Sequence, residues 1–217
     1  RVSEACVSPD GSQVIFGVTW YDLKENKGTR DIYSIPVAGG AMKNLSNSPA
    51  SEYNAVWRPD GKKIAYLGYQ SGTTQIWEMN PDGSDHKQVS DVPDGINGFQ
   101  YSPDMKHIMF IKDVKLDNTV QDVYPDLPKA DARIIDDLMY RHWDNWHDYQ
   151  YSHVFVAPYE NGKLGAHKDI MEGERWDSPL APYGGMEELA WTPDSKKIAY
   201  SAKKLIGKDW AVSTDSD

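Results

Sequence analysis

Two adjacent acids, Glu187 and Glu188, stand six and five residues ahead of the pair Pro193-Asp194. At the start of a strand, two neighbouring carboxylates can accept charge-assisted N–H bonds from a primary amine. The plainer alternative is a solvated loop pair. A second constellation lies in "ARIIDDLMYRHWDNWHDY" (132–149). There Trp143 and Trp146 offer ring faces for a cation, and Asp144 and Asp148 offer carboxylates, a set suited to an amine or a partner surface. The alternative is a segment that packs over a sheet edge and hides it. His142 and His147 lie five apart beside these acids but lack a matching third ligand, so surface histidines are expected and no metal site. No P-loop, dinucleotide fingerprint, zinc spacing or G-x-S-x-G elbow occurs. No catalytic residue is assigned, and no cofactor is expected.

The elements that must position these residues are repeats. "ACVSPDGSQVIFGVT" (5–19), "AVWRPDGKKIAYLGY" (55–69), "FQYSPDMKHIMFIKD" (99–113) and "LAWTPDSKKIAYSAK" (189–203) share one pattern. Their Pro-Asp pairs fall at Pro9-Asp10, Pro59-Asp60, Pro103-Asp104 and Pro193-Asp194, spaced by 50, 44 and 90 residues. The first two spacings match the roughly 40–50 residues of a propeller blade. Proline presets φ for the second position of a type I turn, aspartate suits the third, and a following glycine supplies a left-handed residue. Gly11 and Gly61 fit; Met105 and Ser195 do not, so a cost or a changed turn is expected there. Third strands are expected at 31–37, 75–80, 153–158 and 209–214, and short fourth strands at 42–46 and 86–90. Four strands per unit, repeated radially, give an all-β, TolB/WD40-like partial β-propeller. Its units begin near 4, 53, 97 and 187, and the last stops after its third strand.

The third unit carries an insertion. Its third strand begins 50 residues after Pro103, where units two and four need 16, so 34 extra residues lie within about 113–150. They hold 9 Asp against 4 Lys/Arg, half of the chain's net charge of −10. A helix starting near Asp126 and Pro128 would align Ile135, Leu138, Met139, His142 and Trp146. A β-hairpin extension of the blade is the competing shape.

An acidic chain of 217 residues is unsuited to nucleic acid, which demands a basic face. No stretch is long enough for membrane insertion. One cysteine, Cys6, excludes an intrachain disulfide. The opening at Arg1, directly into a repeat, is expected of a piece of a longer protein.

With "SPDG", "RPDG" and "TPDS" preceding short strands, the repeat resembles the amino-terminal β-propeller of prolyl oligopeptidase family serine peptidases and the TolB propellers. "DDLMYRHWDNW" and "SPLAPYGGMEELAWTPDSKKIAY" resemble the bacterial dipeptidyl peptidase V and acylaminoacyl-peptidase group. The resemblance implies a propeller that filters peptide substrates and helps bind their amino terminus. It also implies an α/β-hydrolase domain elsewhere in the parent, a parent that can dimerise, and a periplasmic or secreted location. On that reading the hydrolase part is absent here, and the chain alone is inactive. Glu187, Glu188, Trp143, Asp144 and Trp146 become the expected substrate contacts. A TolB-like protein-interaction propeller without enzymatic role is the second reading, and a carbohydrate-binding propeller the third.

Overall fold

The computed structural model describes residues 1–142 and 144–216. Trp143 lies outside the described residues. The first blade is the antiparallel sheet β1 (Val2–Val7), β2 (Gln13–Asp22), β3 (Lys27–Pro36) and β4 (Lys43–Asn44). The second repeats it with β5 (Tyr53–Trp57), β6 (Ile64–Gly68), β7 (Gln75–Met79) and β8 (Lys87–Gln88). The third holds β9 (Gly98–Tyr101) and β10 (His107–Lys115); after the short β11 (Arg141–His142) and β12 (Asn145–Trp146) come β13 (Gln150–Glu160), β14 (Lys163–Leu164) and β15 (Lys168–Asp169). Among the described residues the fourth shows only β16 (Leu189–Trp191) and β17 (Ile198–Tyr200).

The four Pro-Asp turns are built alike. The amide of the residue after Asp donates to the carbonyl before Pro, from Gly11, Gly61, Met105 and Ser195 at 2.8–2.9 Å. The Asp carboxylate accepts a second bond from the amide two residues on, at 3.0–3.1 Å. It also accepts from the side chain before Pro, namely Ser8, Arg58, Ser102 or Thr192. The turn type therefore does not change in the third and fourth units. Met105 (φ 57°) and Ser195 (φ 60°) adopt the left-handed conformation that Gly11 (φ 72°) and Gly61 (φ 69°) reach without a Cβ penalty.

The cores lie between blades. Residues five and seven after each Pro face the preceding blade, and those six and eight after face the next. Ile15, Ile32 and Leu45 of the first blade thus meet Ile64, Tyr66 and Met79 of the second. Ala65, Leu67 and Ile76 meet Ile108, Phe110 and Phe155. Met109, Ile111 and Val154 meet Leu189, with Ile198 and Tyr200 packed alongside. Val14 and Phe16, at the positions of Ile64 and Tyr66, have no preceding blade here and are half-buried.

Two expected elements are absent. The 209–214 strand is replaced by a short helix, α2 (Gly207–Val212), with α1 (Val120–Val123) earlier in the chain. Gly207 turns the chain at φ 58°, and Lys203 Nζ donates to the carbonyls of Trp210 and Ser213 while lying 4.3 Å from the Trp210 ring centroid. These local bonds satisfy groups that a strand would have paired with the three-residue β17.

The helix expected from Asp126 is also missing. Its apolar stripe finds nothing to pack against, since Ile135, Leu138 and Trp146 are each more than 40 % exposed, and helices in proteins depend on such packing. Instead β10 and β13 pair in unbroken register from His107↔Pro158 to Lys115↔Gln150. The hairpin extension is the observed shape. Beyond it α1 forms where Thr119 and Asp122 make a capping box.

Candidate functional site

Because successive strands run antiparallel, each blade sends its β2–β3-type and blade-to-blade connections to one rim and the Pro-Asp turns to the other. The first rim comprises segments 23–26, 45–52, 69–74, 89–97, 116–149 and 170–188. It carries 17 Asp/Glu against 5 Lys/Arg, a balance of −12 beside −10 for the whole chain. The opposite rim (8–12, 37–42, 58–63, 80–86, 102–106, 161–167, 192–197) carries 6 acids and 7 bases. The acidity of this protein is thus a property of one face, and both candidate constellations lie on it.

Glu187 and Glu188 belong to a single 3₁₀ turn, Met186–Glu188, at the entrance of β16. The fold gives them different surroundings. Glu188 Oε2 accepts the Leu180 amide at 2.8 Å and holds the 179–185 loop. Glu187 is exposed and makes no hydrogen bond or ion pair among the described residues. The position equivalent to Glu188 in the first blade is Glu4, at a β-bulge with φ 55°. Glu4 accepts the Asn54 amide at 2.9 Å and pairs with Arg30 at 2.7 Å. Asn54 (φ 52°) in turn reaches the Phe99 backbone. This register therefore ties the first blade to the second and the second to the third, whereas the third blade carries Gly98 there.

Trp146 is 42 % exposed, and its ring neighbours are Arg133 at 5.1 Å, Arg141 at 5.4 Å and Tyr140 at 6.0 Å. Its cation–π capacity is engaged within the insertion. Asp144 is exposed. The insertion and the 179–188 segment meet through the His142 and Tyr183 rings, 6.2 Å apart. No hydrogen bond or ion pair links Glu187 or Glu188 to Asp144 or Trp146 among the described residues. The base of the insertion is fixed by Asp117, which accepts from Tyr151 Oη at 2.8 Å and pairs with Arg175 at 2.7 Å and His147 at 3.3 Å. Burial, then the bond to Asp117, pushes the Tyr151 hydroxyl up. Burial likewise raises Asp177, whose Oδ1 accepts the Ser152 amide at 2.8 Å.

On the same rim a cavity of about 270 Å³ opens between the third and fourth blades, lined by Asn97, Ile111, Ser152 and residues of the 179–186 loop. Among the described residues no group of three or more His, Cys, Asp or Glu could hold a metal, and no helix is long and apolar enough to cross a membrane.

Residue patterns alone missed a polar seam between the second and third blades. Buried Glu78 accepts from Tyr101 Oη at 2.6 Å and from Tyr159 Oη, and Arg58 Nη1 lies 3.7 Å away. Burial and then Glu78 push the Tyr159 hydroxyl up to about 12. The partners are 23 and 81 residues from Glu78 in sequence, so no local signal exposes them.

Residues 3–140 match the profile of the TolB beta propeller domain, PD40. The chain belongs to that family. Among curated proteins the propeller is 42 % identical to dipeptidyl-peptidase 5 of Porphyromonas gingivalis over all 217 residues, which are 32 % of that protein. Dipeptidyl-peptidase 5 of Porphyromonas endodontalis is 37 % identical over the same span, 31 % of its length. The chain thus spans about a third of these relatives. Among solved structures, the acylaminoacyl peptidase of Pyrococcus horikoshii superposes with a TM-score of 0.59 at 17 % identity, covering 81 % of this chain and 26 % of that one. TolB from Acinetobacter baumannii gives 0.57 at 15 %, covering 91 % and 36 %. Both show the fold alone.

Proposed function

We propose that this chain is the non-catalytic propeller of a serine exopeptidase, where it gates and binds peptide substrates for an α/β-hydrolase domain of the same parent chain. The reading is carried by one observation: a propeller that matches dipeptidyl-peptidase 5 along its whole length concentrates its acid on a single rim. Such a face raises the local concentration of peptides with a free amino terminus and speeds their approach. Folded proteins are excluded by size. Glu187, exposed and unengaged among the described residues, receives the amine; Glu188 positions the neighbouring loop.

The test uses the parent protein and dipeptidyl substrates. Glu187→Gln should raise KM roughly three- to fivefold with kcat unchanged, as expected for an exposed charge pair worth up to about 1 kcal/mol. The effect should fade at high salt. A parent without peptidase activity sinks the reading in favour of a protein-interaction propeller.

A further inference from the structure

We propose that the cavity between the third and fourth blades is a subsite for one apolar side chain of a peptide whose free amino group lies at Glu187. This deepens the peptide-binding reading and rests on it. At about 270 Å³ the cavity falls below the ~300–1,000 Å³ of sites that hold drug-sized molecules, so it takes one residue and no more. Its lining is apolar at Ile111, Leu180, Pro182 and Met186, with Asn97 and Ser152 as the polar groups.

The walls are preformed. Ile111 is buried and belongs to the core between the two blades. The outer wall is pinned by Gly184 N to Leu180 O at 2.7 Å, Leu180 N to Glu188 Oε2 at 2.8 Å, and Ser178 N to Ser152 O at 2.8 Å. Gly184 is needed in that wall, because a Cβ there would lie 2.5 Å from Leu180 N. A wall already ordered lowers the entropy lost when a ligand enters.

The surroundings set the ligand class. No charged side chain lines the cavity, yet carboxylates hold its edges. Asp113 accepts from Asn97 Nδ2 at 2.9 Å, Asp177 accepts from Ser152 N, and Glu188 accepts from Leu180 N. Glu187 lies at the mouth: a Cβ on Gly185, which lines the cavity, would sit 2.6 Å from Glu187 Oε2. A half-open, mostly apolar hollow edged by carboxylates accepts an apolar group attached to an ammonium. It disfavours an acidic side chain, which would be desolvated among like charges.

The experiment follows methionine methyl signals by NMR, with Met186 as reporter and Met109 and Met171 of the adjoining core as folding controls. The probes are leucyl-glycinamide, its N-acetyl form and glutamyl-glycinamide. The first should shift Met186 saturably, and the other two should bind at least three- to fivefold more weakly. Ala181→Trp, at the rim, should abolish the Met186 response while the Met109 and Met171 signals stay in place. No Met186 shift with leucyl-glycinamide at millimolar concentration overturns the subsite, as does a response that survives Ala181→Trp. Equal binding of the free and acetylated forms overturns the assigned ligand class. A missing Met186 shift, or one that survives Ala181→Trp, leaves the KM effect of Glu187→Gln untouched, whereas equal binding of the acetylated form also predicts no KM effect, so the subsite and the amine capture fail separately.

Discussion

Replacing Glu52 by Met should stabilise this propeller at neutral pH. Glu52 stands seven residues before Pro59, where the other units carry Val2, Ile96 and Met186. It is fully buried. Oε1 accepts from Ser48 Oγ at 2.5 Å and Gln70 Nε2 at 3.1 Å, whereas Oε2 has no partner among the described residues. Burial pushes this carboxyl above its ordinary value, partly opposed by Ser48 and Ser46 and reinforced by Asp31. A raised carboxyl binds its proton more tightly in the folded state. Its contribution is therefore fully present below the unfolded value and is lost as pH rises through the raised one, at about 1.4 kcal/mol for each pH unit that separates the two values.

The Glu52→Met variant removes that penalty and buries an apolar side chain worth about 1.5–3 kcal/mol. The groups left behind are accommodated: Ser48 Oγ can turn its single proton to Ala50 O, 3.2 Å away, and Gln70 is exposed to water. Two lost bonds offset about 1–2 kcal/mol. The expected net is about 1–3 kcal/mol at pH 7, within the range seen when buried charge gives way to apolar packing. Tm should rise by about 2–4 °C for each kcal/mol. The difference should narrow toward pH 4, where Glu52 keeps its proton. Thermal and urea unfolding of both proteins at pH 4, 6 and 8 supplies the comparison. A variant less stable than its parent at pH 7, or a difference that ignores pH, refutes the argument.

Three further outcomes are expected. The bond from Ser8 Oγ, then those from Ser12, hold the Asp10 carboxyl down at about 2, and Asp60, Asp104 and Asp194 are lowered by the equivalent turn bonds. The stability these turns confer should be complete above the ordinary aspartate value of 3.8 and fade as pH falls toward 2; a carboxyl NMR titration giving Asp10 an ordinary midpoint would contradict this. Met105→Gly should stabilise by up to about 1 kcal/mol, and Gly11→Ala should destabilise by a similar amount, because each changes the same left-handed position. A Cβ on Gly11 meets nothing within 4 Å, so a neutral Gly11→Ala in urea unfolding would remove backbone strain as the cause. Tyr159→Phe withdraws one donor from buried Glu78 and should lower stability by about 1–3 kcal/mol; an unchanged urea midpoint would show the seam to be energetically silent.

Legibility in the sequence followed the range of each interaction. The Pro-Asp turns were readable because proline, aspartate and the following residue decide them within six positions. The alternating strands after them were readable because both faces meet a neighbouring blade. The strand at 209–214 was not, because a strand exists only with a partner, and α2 formed from local bonds to Lys203 instead. Composition marked 113–150 as foreign to the repeat, yet its apolar spacing suggested a helix that has no surface to cover. The Glu187-Glu188 pair was visible as chemistry. The division of labour between exposed Glu187 and the loop-holding Glu188 needed the position of Leu180, which no spacing supplies. Glu52 carried a readable signal, an acid at a register of apolar residues.

Because every core lies between sheets, the blades own no interior of their own. Four blades here share three seams. An open row of such units behaves like a chain of links, in which an end unit is held on one side and an inner unit on two. Closing the row into a ring adds a seam without adding a blade. It would cover Val14 and Phe16, which are only half-buried here. Opening should then spread from whichever joint is weakest, so that mechanical strength resides in the joints rather than in the parts.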